Sequence, residues 1–327
     1  MRKKHNTAII AAVTVFSLVL LAGCRELPGK EAADQQLEES LSGSNSAGFL
    51  ESLSLDAGVA AEDLGREIAK AADDVHDAVK ETAAEAAEQI NENSLKQELT
   101  TSLTAGGSAR LQLDNAVGKI ELIPGEGDIL TVSATLIAHN PLTRDTDRKI
   151  LDNAEVSIEN KSGRLTVSAH PKDNPDKSLW TWAQKEYGHS DFSINYVIEV
   201  PETVTAYDIA NNVGSIELTG LEGGFDITSD VGTITLKDAV ITGKSKVKSE
   251  TGSIVLELEG MDSGSSLTAS SAIGAIKASL AGSLNCTVKA DSELGAINGV
   301  TEGRQDYNGG GPMLSLSTEI GAISVQQ

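Results

Sequence analysis

The sequence predicts a mainly β protein, a parallel β-helix-like β-solenoid of about 20-residue coils, preceded by an acidic α-helical stalk. Three observations predict this fold. A short glycine-centred pattern recurs seven times, an Ala- and Glu-rich stretch with helical spacing precedes it, and only 3% of the 327 residues are aromatic. A core with so few aromatics has to be built from Ile, Leu, Val and Ala in short layers, which favours a repetitive architecture.

Each repeat has a glycine at its centre and an isoleucine two residues later. The position five residues before the glycine is apolar, and the position three before it is Asn, Ser or Thr. Because strand side chains alternate between faces, the positions before and after the glycine have opposite parity. One residue is therefore absorbed at the glycine, as at a bulge or tight corner. The glycines are Gly118, Gly214, Gly232, Gly252, Gly274, Gly295 and Gly321, and the isoleucines are Ile120, Ile216, Ile234, Ile254, Ile276, Ile297 and Ile323.

The last six glycines are 18 to 26 residues apart, which suits one solenoid coil with two or three short strands. Equivalent residues of stacked coils lie about 4.8 Å apart. The repeats therefore predict an Ile stack, a Leu/Ile/Val stack and an internal Asn/Ser/Thr ladder. We interpret the polar ladder as structural, because a buried polar stack has to satisfy its own hydrogen bonds.

The first 23 residues have the features of a lipoprotein signal peptide. Basic residues at positions 2–4 precede an apolar run over 8–22 that is too short to span a bilayer as a mature helix. The run ends in Leu21-Ala22-Gly23-Cys24, which resembles the lipobox of bacterial lipoproteins. This resemblance implies cleavage before Cys24, acylation of its sulfur and attachment to the extracytoplasmic face of the cell membrane. An ordinary secretory signal with a chance cysteine is the alternative.

A spacer is predicted to separate the anchor from the repeats. Residues 24–55 form an acidic flexible tether, because their Gln, Glu, Ser and Gly content is typical of disorder. Residues 56–100 form an amphipathic helical stalk, whose seam recurs at spacings of three and four. A seam this weak in Leu favours a solvated stalk over a self-associating coiled coil. The seam consists of Leu64, Ile68, Ala71, Val75, Val79, Thr82, Ala86 and Ile90.

The net charge and the two cysteines limit which classes of partner and which cysteine chemistry we expect. With 48 acidic and 26 basic residues the net charge is −22, so we expect no nucleic-acid partner. If Cys24 is lipidated, Cys286 has no intrachain partner. We interpret Cys286 as a small buried apolar residue and not as a reactive thiol.

Residues 170–191 form an aromatic-rich insertion between strand-like runs. Trp180, Trp182 and Tyr187 lie in it, among prolines and polar residues. Aromatic rings on a surface loop can stack on sugars or on a partner protein. The alternative, which we favour, is a cap over the open end of the solenoid, because an exposed terminal coil invites edge-to-edge association.

Motifs for catalysis or metal binding are missing from the repeat region. His139, His170 and His189 have no metal-ligand spacing, and no nucleophile elbow, phosphate loop or zinc pattern occurs. Four acidic residues share the outward position two before the glycine, and such a column could bind Ca²⁺. We interpret it as solvated charge, because Ca²⁺ needs several oxygens converging on one point. We therefore expect neither a cofactor nor enzymatic activity. The acidic residues are Asp230, Glu250, Glu293 and Glu319.

The repeats resemble those of the bacterial adhesin-like β-strand-repeat family of the DUF4097 type, which repeats a Ser-X-X-Gly-X-Ile-X-Leu-like unit. The resemblance covers roughly residues 105–327 and includes the strand Tyr196-Val197-Ile198-Glu199-Val200 before Pro201. It implies a cell-surface adhesin-like β-repeat domain over residues 101–327. The chain departs from the pattern where Ala278 and Gly299 replace a large residue, which predicts a thinner core toward the C-terminus.

These observations lead to a functional expectation. The protein is expected to be a cell-surface lipoprotein whose non-enzymatic β-solenoid binds or scaffolds a cell-wall polymer or an envelope protein. The alternative is an envelope-stress or signalling accessory that binds a membrane protein. A carbohydrate-active enzyme is a third hypothesis, but the sequence nominates no pair of catalytic carboxylates.

Overall fold

A computed structural model describes residues 94–139 and 141–327, and in these ranges the protein is mainly β with two α-helices. The predicted signal peptide, the tether, Cys24 and most of the predicted stalk lie outside the described residues. Within the described ranges, no helix combines the length and apolar character needed to cross a membrane.

The first region contains seven strands and both α-helices, with a short 3₁₀ turn (Pro141–Thr143) before the first helix. The elements are β1 (Leu95–Thr104), β2 (Arg110–Val117), β3 (Ile120–Pro124), β4 (Ile129–Ala138), α1 (Arg144–Asp152), β5 (Ala154–Lys161), β6 (Arg164–Pro171), α2 (Leu179–Tyr187) and β7 (Phe192–Val200).

The remaining repeats contribute thirteen strands, with a second 3₁₀ turn (Thr301–Gly303) near the end. They are β8 (Ala206–Val213), β9 (Ile216–Thr219), β10 (Glu222–Val231), β11 (Ile234–Ile241), β12 (Lys244–Thr251), β13 (Ile254–Met261), β14 (Ser266–Ile273), β15 (Ile276–Leu280), β16 (Cys286–Leu294), β17 (Ile297–Asn298), β18 (Arg304–Tyr307), β19 (Met313–Ile320) and β20 (Ile323–Gln326).

Strand β1 corrects the predicted boundary between stalk and β domain. It begins at Leu95, whereas the helical stalk was expected to continue to residue 100. Leu95, Leu99 and Leu103 are four residues apart, a spacing compatible both with a helix and with alternate positions of a strand. Antiparallel pairing with β4 decides between them, because it runs without interruption from Leu95 opposite Ala138 to Thr104 opposite Ile129.

The strands before and after each repeat glycine belong to two parallel ladders. Before the glycine, β8, β10, β12 and β14 pair in succession, with Ile227 in register with both Ile209 and Val247. After the glycine, β9, β11, β13 and β15 pair in the same way, with Ile234 in register with Ile216 and Ile254. Equivalent residues of successive repeats therefore stack on one another.

The first and last repeats do not follow chain order in these ladders. The β2–β3 repeat lies between β6–β7 and β8–β9. The β19–β20 repeat lies between β14–β15 and β16–β17. Beyond these parallel runs the pairing becomes antiparallel, with β4 on β7, β1 on β4, β5 on β6 and β18 on β16. The first and the last repeat are thus each inserted between two other repeats, and antiparallel strands follow the parallel ones in both ladders.

One apolar core runs through the ladders. Of the seven repeat isoleucines, six are 0% exposed and Ile297, in the last coil, is partly buried. Cys286 is also 0% exposed, and burial, with a smaller effect of Asp306, raises the pKa of its thiol. The thiol therefore stays protonated at neutral pH, as expected of a residue that packs like a small hydrophobe.

Candidate functional site

The repeat glycines turn the chain where the backbone of the neighbouring coil makes contact. Gly232 has φ of +147°, and a Cβ placed on it would lie 2.0 Å from the carbonyl oxygen of Gly214. Its N–H donates to the carbonyl oxygen of Thr251, with an N···O distance of 2.9 Å. No side chain fits there, so the glycine pattern is explained by backbone packing.

The polar position three before the glycine forms a buried ladder. Ser271 Oγ donates to the Gly252 carbonyl of the adjacent coil at 2.9 Å, and Thr318 Oγ1 donates to the Gly274 carbonyl at 3.0 Å. Ser229 occupies the same position in its own repeat and is also buried, but its Oγ has no hydrogen-bond partner. Because these donors are directed at the backbone of the next coil, the ladder offers little to an external ligand.

An apolar ridge runs along the outer corner of the coils. It consists of the residue immediately before each glycine, and register pairs join each member to the next. At about 4.8 Å per coil its seven members extend about 29 Å. The side chains are partly or largely exposed, with Val213 at 45% and Leu294 at 53%. In stacking order the apolar ridge is Val117, Val213, Val231, Thr251, Ile273, Ile320 and Leu294.

The apolar ridge was not among the predicted features, although an apolar residue precedes the glycine in six of the seven repeats. Alternation alone assigns this position to the same face as the buried ladder. The chain turns at the next residue, so the side chain remains at the corner and in contact with solvent. The repetition of Val, Ile and Leu at an exposed position was the signal that could have found it.

An acidic column runs beside the apolar ridge, one residue earlier in four of the seven repeats, and Ala116, Asn212 and Ala272 take this position in the other three. Its members are exposed, and Lys248 forms an ion pair with Glu250. The pKa of Lys248 is raised by its hydrogen bond to Glu250 and by the charges of Asp230 and Glu319, so carboxylates of three coils act on one amine. In stacking order the acidic column is Asp230, Glu250, Glu319 and Glu293, with Ala272 interrupting it after Glu250.

The aromatic residues of the insertion lie on a helix and not in an irregular loop. Trp180 stacks on Phe192 with ring centroids 5.3 Å apart and planes at 19°. Trp182 meets Tyr187 edge to face at 5.5 Å. All three helix aromatics are partly buried against the core, and Leu179 of the same helix is 0% exposed. Rings that are already stacked offer less surface to a sugar than rings on a free loop would.

Two histidines, His139 and His189, lie near Asp147 and Asp191 close to the start of β7, although their spacing in the sequence matches no metal-ligand motif. His189 Nδ1 lies 3.7 Å from Asp147 Oδ1 and 4.0 Å from Asp191 Oδ2. His139 Nε2 lies 2.9 Å from Ser193 Oγ, and burial lowers the pKa of His139 despite the opposing effect of both aspartates. Among residues 94–139 and 141–327, no three His, Cys, Asp or Glu side chains are placed to bind one metal ion.

Comparison with known proteins gives structural similarities only. No family model matches the chain, and no curated protein matches it. The structure is similar to a candidate cell adhesion protein of Clostridium sporogenes, with a TM-score of 0.40 and 14% identity over 71% of this chain and 100% of that one. It is also similar to a candidate adhesin of Parabacteroides merdae, with a TM-score of 0.29 and 12% identity over 72% and 97% of the two chains.

A candidate lipid binding protein of Parabacteroides distasonis has a TM-score of 0.25 and 12% identity over 72% of this chain and 97% of that one. Similarity at this level superposes the chains only loosely.

Proposed function

We propose that the protein is a cell-surface lipoprotein, anchored through Cys24, whose repeats form a non-enzymatic β-solenoid that binds an envelope protein. The observation that supports this function is the apolar ridge with the acidic column beside it. The pairing of successive coils in two parallel ladders supports the solenoid, because each repeat from β8 to β15 adds one strand to each ladder.

A row of apolar side chains that is interrupted once, at Thr251, and is most exposed toward its two ends favours a protein ligand. Soluble proteins expose single apolar residues everywhere, but contiguous rows rimmed by polar residues mark interaction sites. Aliphatic side chains such as Val213 and Ile320 pack against apolar protein segments, whereas sugar rings prefer aromatic platforms. Because the acidic column lies beside the apolar ridge, we expect the partner segment to carry Lys or Arg along one side. Complementary charges of this kind set the orientation and the association rate of a complex.

Photo-crosslinking in living cells tests this proposal. A photoreactive amino acid at Val213 or Ile320 is expected to capture one envelope protein through a segment rich in apolar and basic residues, identified by mass spectrometry. Thr235 lies on the outer face of the other ladder and provides the matched control position. The pair of changes Val213→Gln and Ile320→Gln is expected to lower capture at Val231 at least about tenfold.

Two results would contradict the proposal. One is equal capture from Thr235 and from the apolar ridge. The other is binding of the protein to purified cell-wall polymer that the glutamine variants leave unchanged, which would return the function to adhesion on the wall. If partner binding requires the lipid anchor, the accessory role becomes the better description of the same site.

The anchor has its own test. In Cys24→Ala the proposed lipid acceptor is missing, so the chain is expected to stay unprocessed or to be released from the membrane. Attachment by two acyl chains is stable whereas one chain is marginal. Labelling with palmitate and fractionation measure this directly, and a variant retained in membranes and labelled at the wild-type level would overturn the anchor.

A further inference from the structure

Two asparagines of the chain are followed directly by glycine, and the fold holds them differently. Asn308 lies just after β18, and its Nδ2 donates to the carbonyl oxygens of Gly282 and Leu284, both at 2.9 Å. Asn298 ends the two-residue strand β17, and its side chain is exposed. Among the described residues the Asn298 amide has no hydrogen-bond partner, so only this one of the two side chains is unrestrained.

An asparagine that precedes glycine can modify itself in water. The backbone nitrogen of the glycine loses its proton and attacks the side-chain Cγ, and the side-chain nitrogen leaves as ammonia, which gives a five-membered succinimide. Water then opens the ring at either carbonyl and gives aspartate or isoaspartate, in which the main chain runs through Cβ. Glycine permits this attack because it has no Cβ to obstruct it. The reaction therefore needs a mobile asparagine side chain and an accessible glycine N–H group.

The peptide bond between Asn298 and Gly299 meets both requirements. In the described part of the chain, the Gly299 N–H donates to no acceptor. The glycine itself is imposed by packing, because its φ is +80° and a Cβ at this position would collide with the carbonyl oxygen of Val325. Backbone packing in the last coil therefore places a glycine directly after an exposed asparagine.

We propose that Asn298 is a self-modification site and that its conversion to isoaspartate releases β17 from the last coil. Two register pairs join β17 to β20, and the Tyr307 hydroxyl donates to the carbonyl oxygen of Gly299 at 2.5 Å. Isoaspartate lengthens the main chain by one methylene between the second register pair and Gly299. The register with β20 and the contact with Tyr307 then no longer fit together, so a strand of only two residues loses its pairing.

Peptide mapping of the full chain tests the site. The folded protein is kept in warm, mildly alkaline buffer, and mass spectrometry of its digest measures aspartate and isoaspartate at positions 298 and 308. Two hydrogen bonds have to break before Asn308 reacts, so Asn298 is expected to convert about tenfold faster or more. In urea this difference should disappear. Asn298→Gln, which would have to form a less favourable six-membered ring, should block conversion at position 298. Equal rates in the folded chain, or no conversion of Asn298, would overturn the proposal.

Hydrogen exchange tests the consequence for the last coil. Chains that carry isoaspartate are expected to lose amide protection over residues 295–300, while β10 to β13 keep theirs as the internal reference. Asn298→Asp is the matched control, because it adds the same charge without lengthening the main chain, and it should retain the protection. Unchanged protection after conversion would overturn the release of β17. An equal loss of protection in Asn298→Asp would also overturn it, because the charge and not the extra methylene would then be the cause.

Discussion

The central repeats, β8 to β15, and the region from β1 to β7 bury their apolar side chains in different ways. From β8 to β15 every strand has a parallel neighbour of the same repeat type, and equivalent residues lie in register except at a bulge between β11 and β13. At the first end the strands β1, β4 and β5 pair antiparallel, and both helices lie in this region. Trp180 stacks on Phe192 in this region.

The difference shows what each kind of residue contributes. In a central repeat, each core side chain packs against the equivalent positions of the two neighbouring repeats. A substitution there therefore disturbs the packing on both sides. In the region from β1 to β7, large aromatic side chains such as Trp180 pack against the core instead of a matching repeat residue. We therefore expect substitutions in the central coils to be the more severe, and four experiments test this comparison.

The largest effect is expected for Ile234→Asp. Ile234 is 0% exposed in a central coil, so the change buries an unpaired charge and should cost more than about 4 kcal/mol or prevent folding. Thr235→Asp places the same charge on the partly exposed outward face, in register with Glu217, and should cost far less than Ile234→Asp. Thermal melting by circular dichroism measures both, and similar melting temperatures would show that the assignment of faces is wrong.

A glycine of the central coils should be almost as sensitive. In Gly232→Ala the new methyl group meets the Gly214 carbonyl at 2.0 Å with φ at +147°, so the free energy of unfolding should fall by at least about 2 kcal/mol. Gly243 has open space around an added Cβ and no positive φ, so Gly243→Ala should be close to neutral. Chemical denaturation of the two variants compares them, and equal midpoints would refute the backbone-contact explanation.

The end region is tested by Trp180→Ala. The change removes the ring that stacks on Phe192 from a partly buried position, so we expect a loss of about 2 kcal/mol if helix α2 serves as a cap. Lys185→Ala, on the exposed side of the same helix, is the control. If α2 instead forms a ligand site, the double change Trp180→Ala and Trp182→Ala should abolish binding and leave melting within a few degrees.

The smallest effect separates two members of the polar ladder. Ser271→Ala removes the hydroxyl that donates to Gly252, and should cost about 1 kcal/mol. Ser229→Ala removes a buried hydroxyl without a partner, so this variant should be neutral or slightly more stable. Calorimetric melting detects the difference, and equal losses in both variants would show that the hydroxyls do not act through these hydrogen bonds.

Much of the repeat region could be predicted from local pattern. An isoleucine two residues after each glycine indicated a buried stack, and the polar position three residues before the glycine indicated a ladder. Both follow from strand alternation and from the dihedral freedom of glycine, which are properties of short segments. The aromatic insertion, lying among prolines and polar residues, was predicted as a surface loop, yet Leu179–Tyr187 form a helix whose Leu179 and Ala183 are buried in the core.

By itself, therefore, the sequence determined that the chain is built of glycine-cornered β repeats, with Ile234 and its equivalents inside. Only the tertiary structure decided which coil lies beside which, including the insertion of the first and last repeats. It also decided that the residues before the glycines join into one ridge and that His189 lies beside Asp147. A repeat encodes its own local geometry, whereas contacts between distant segments depend on the packing of the whole chain.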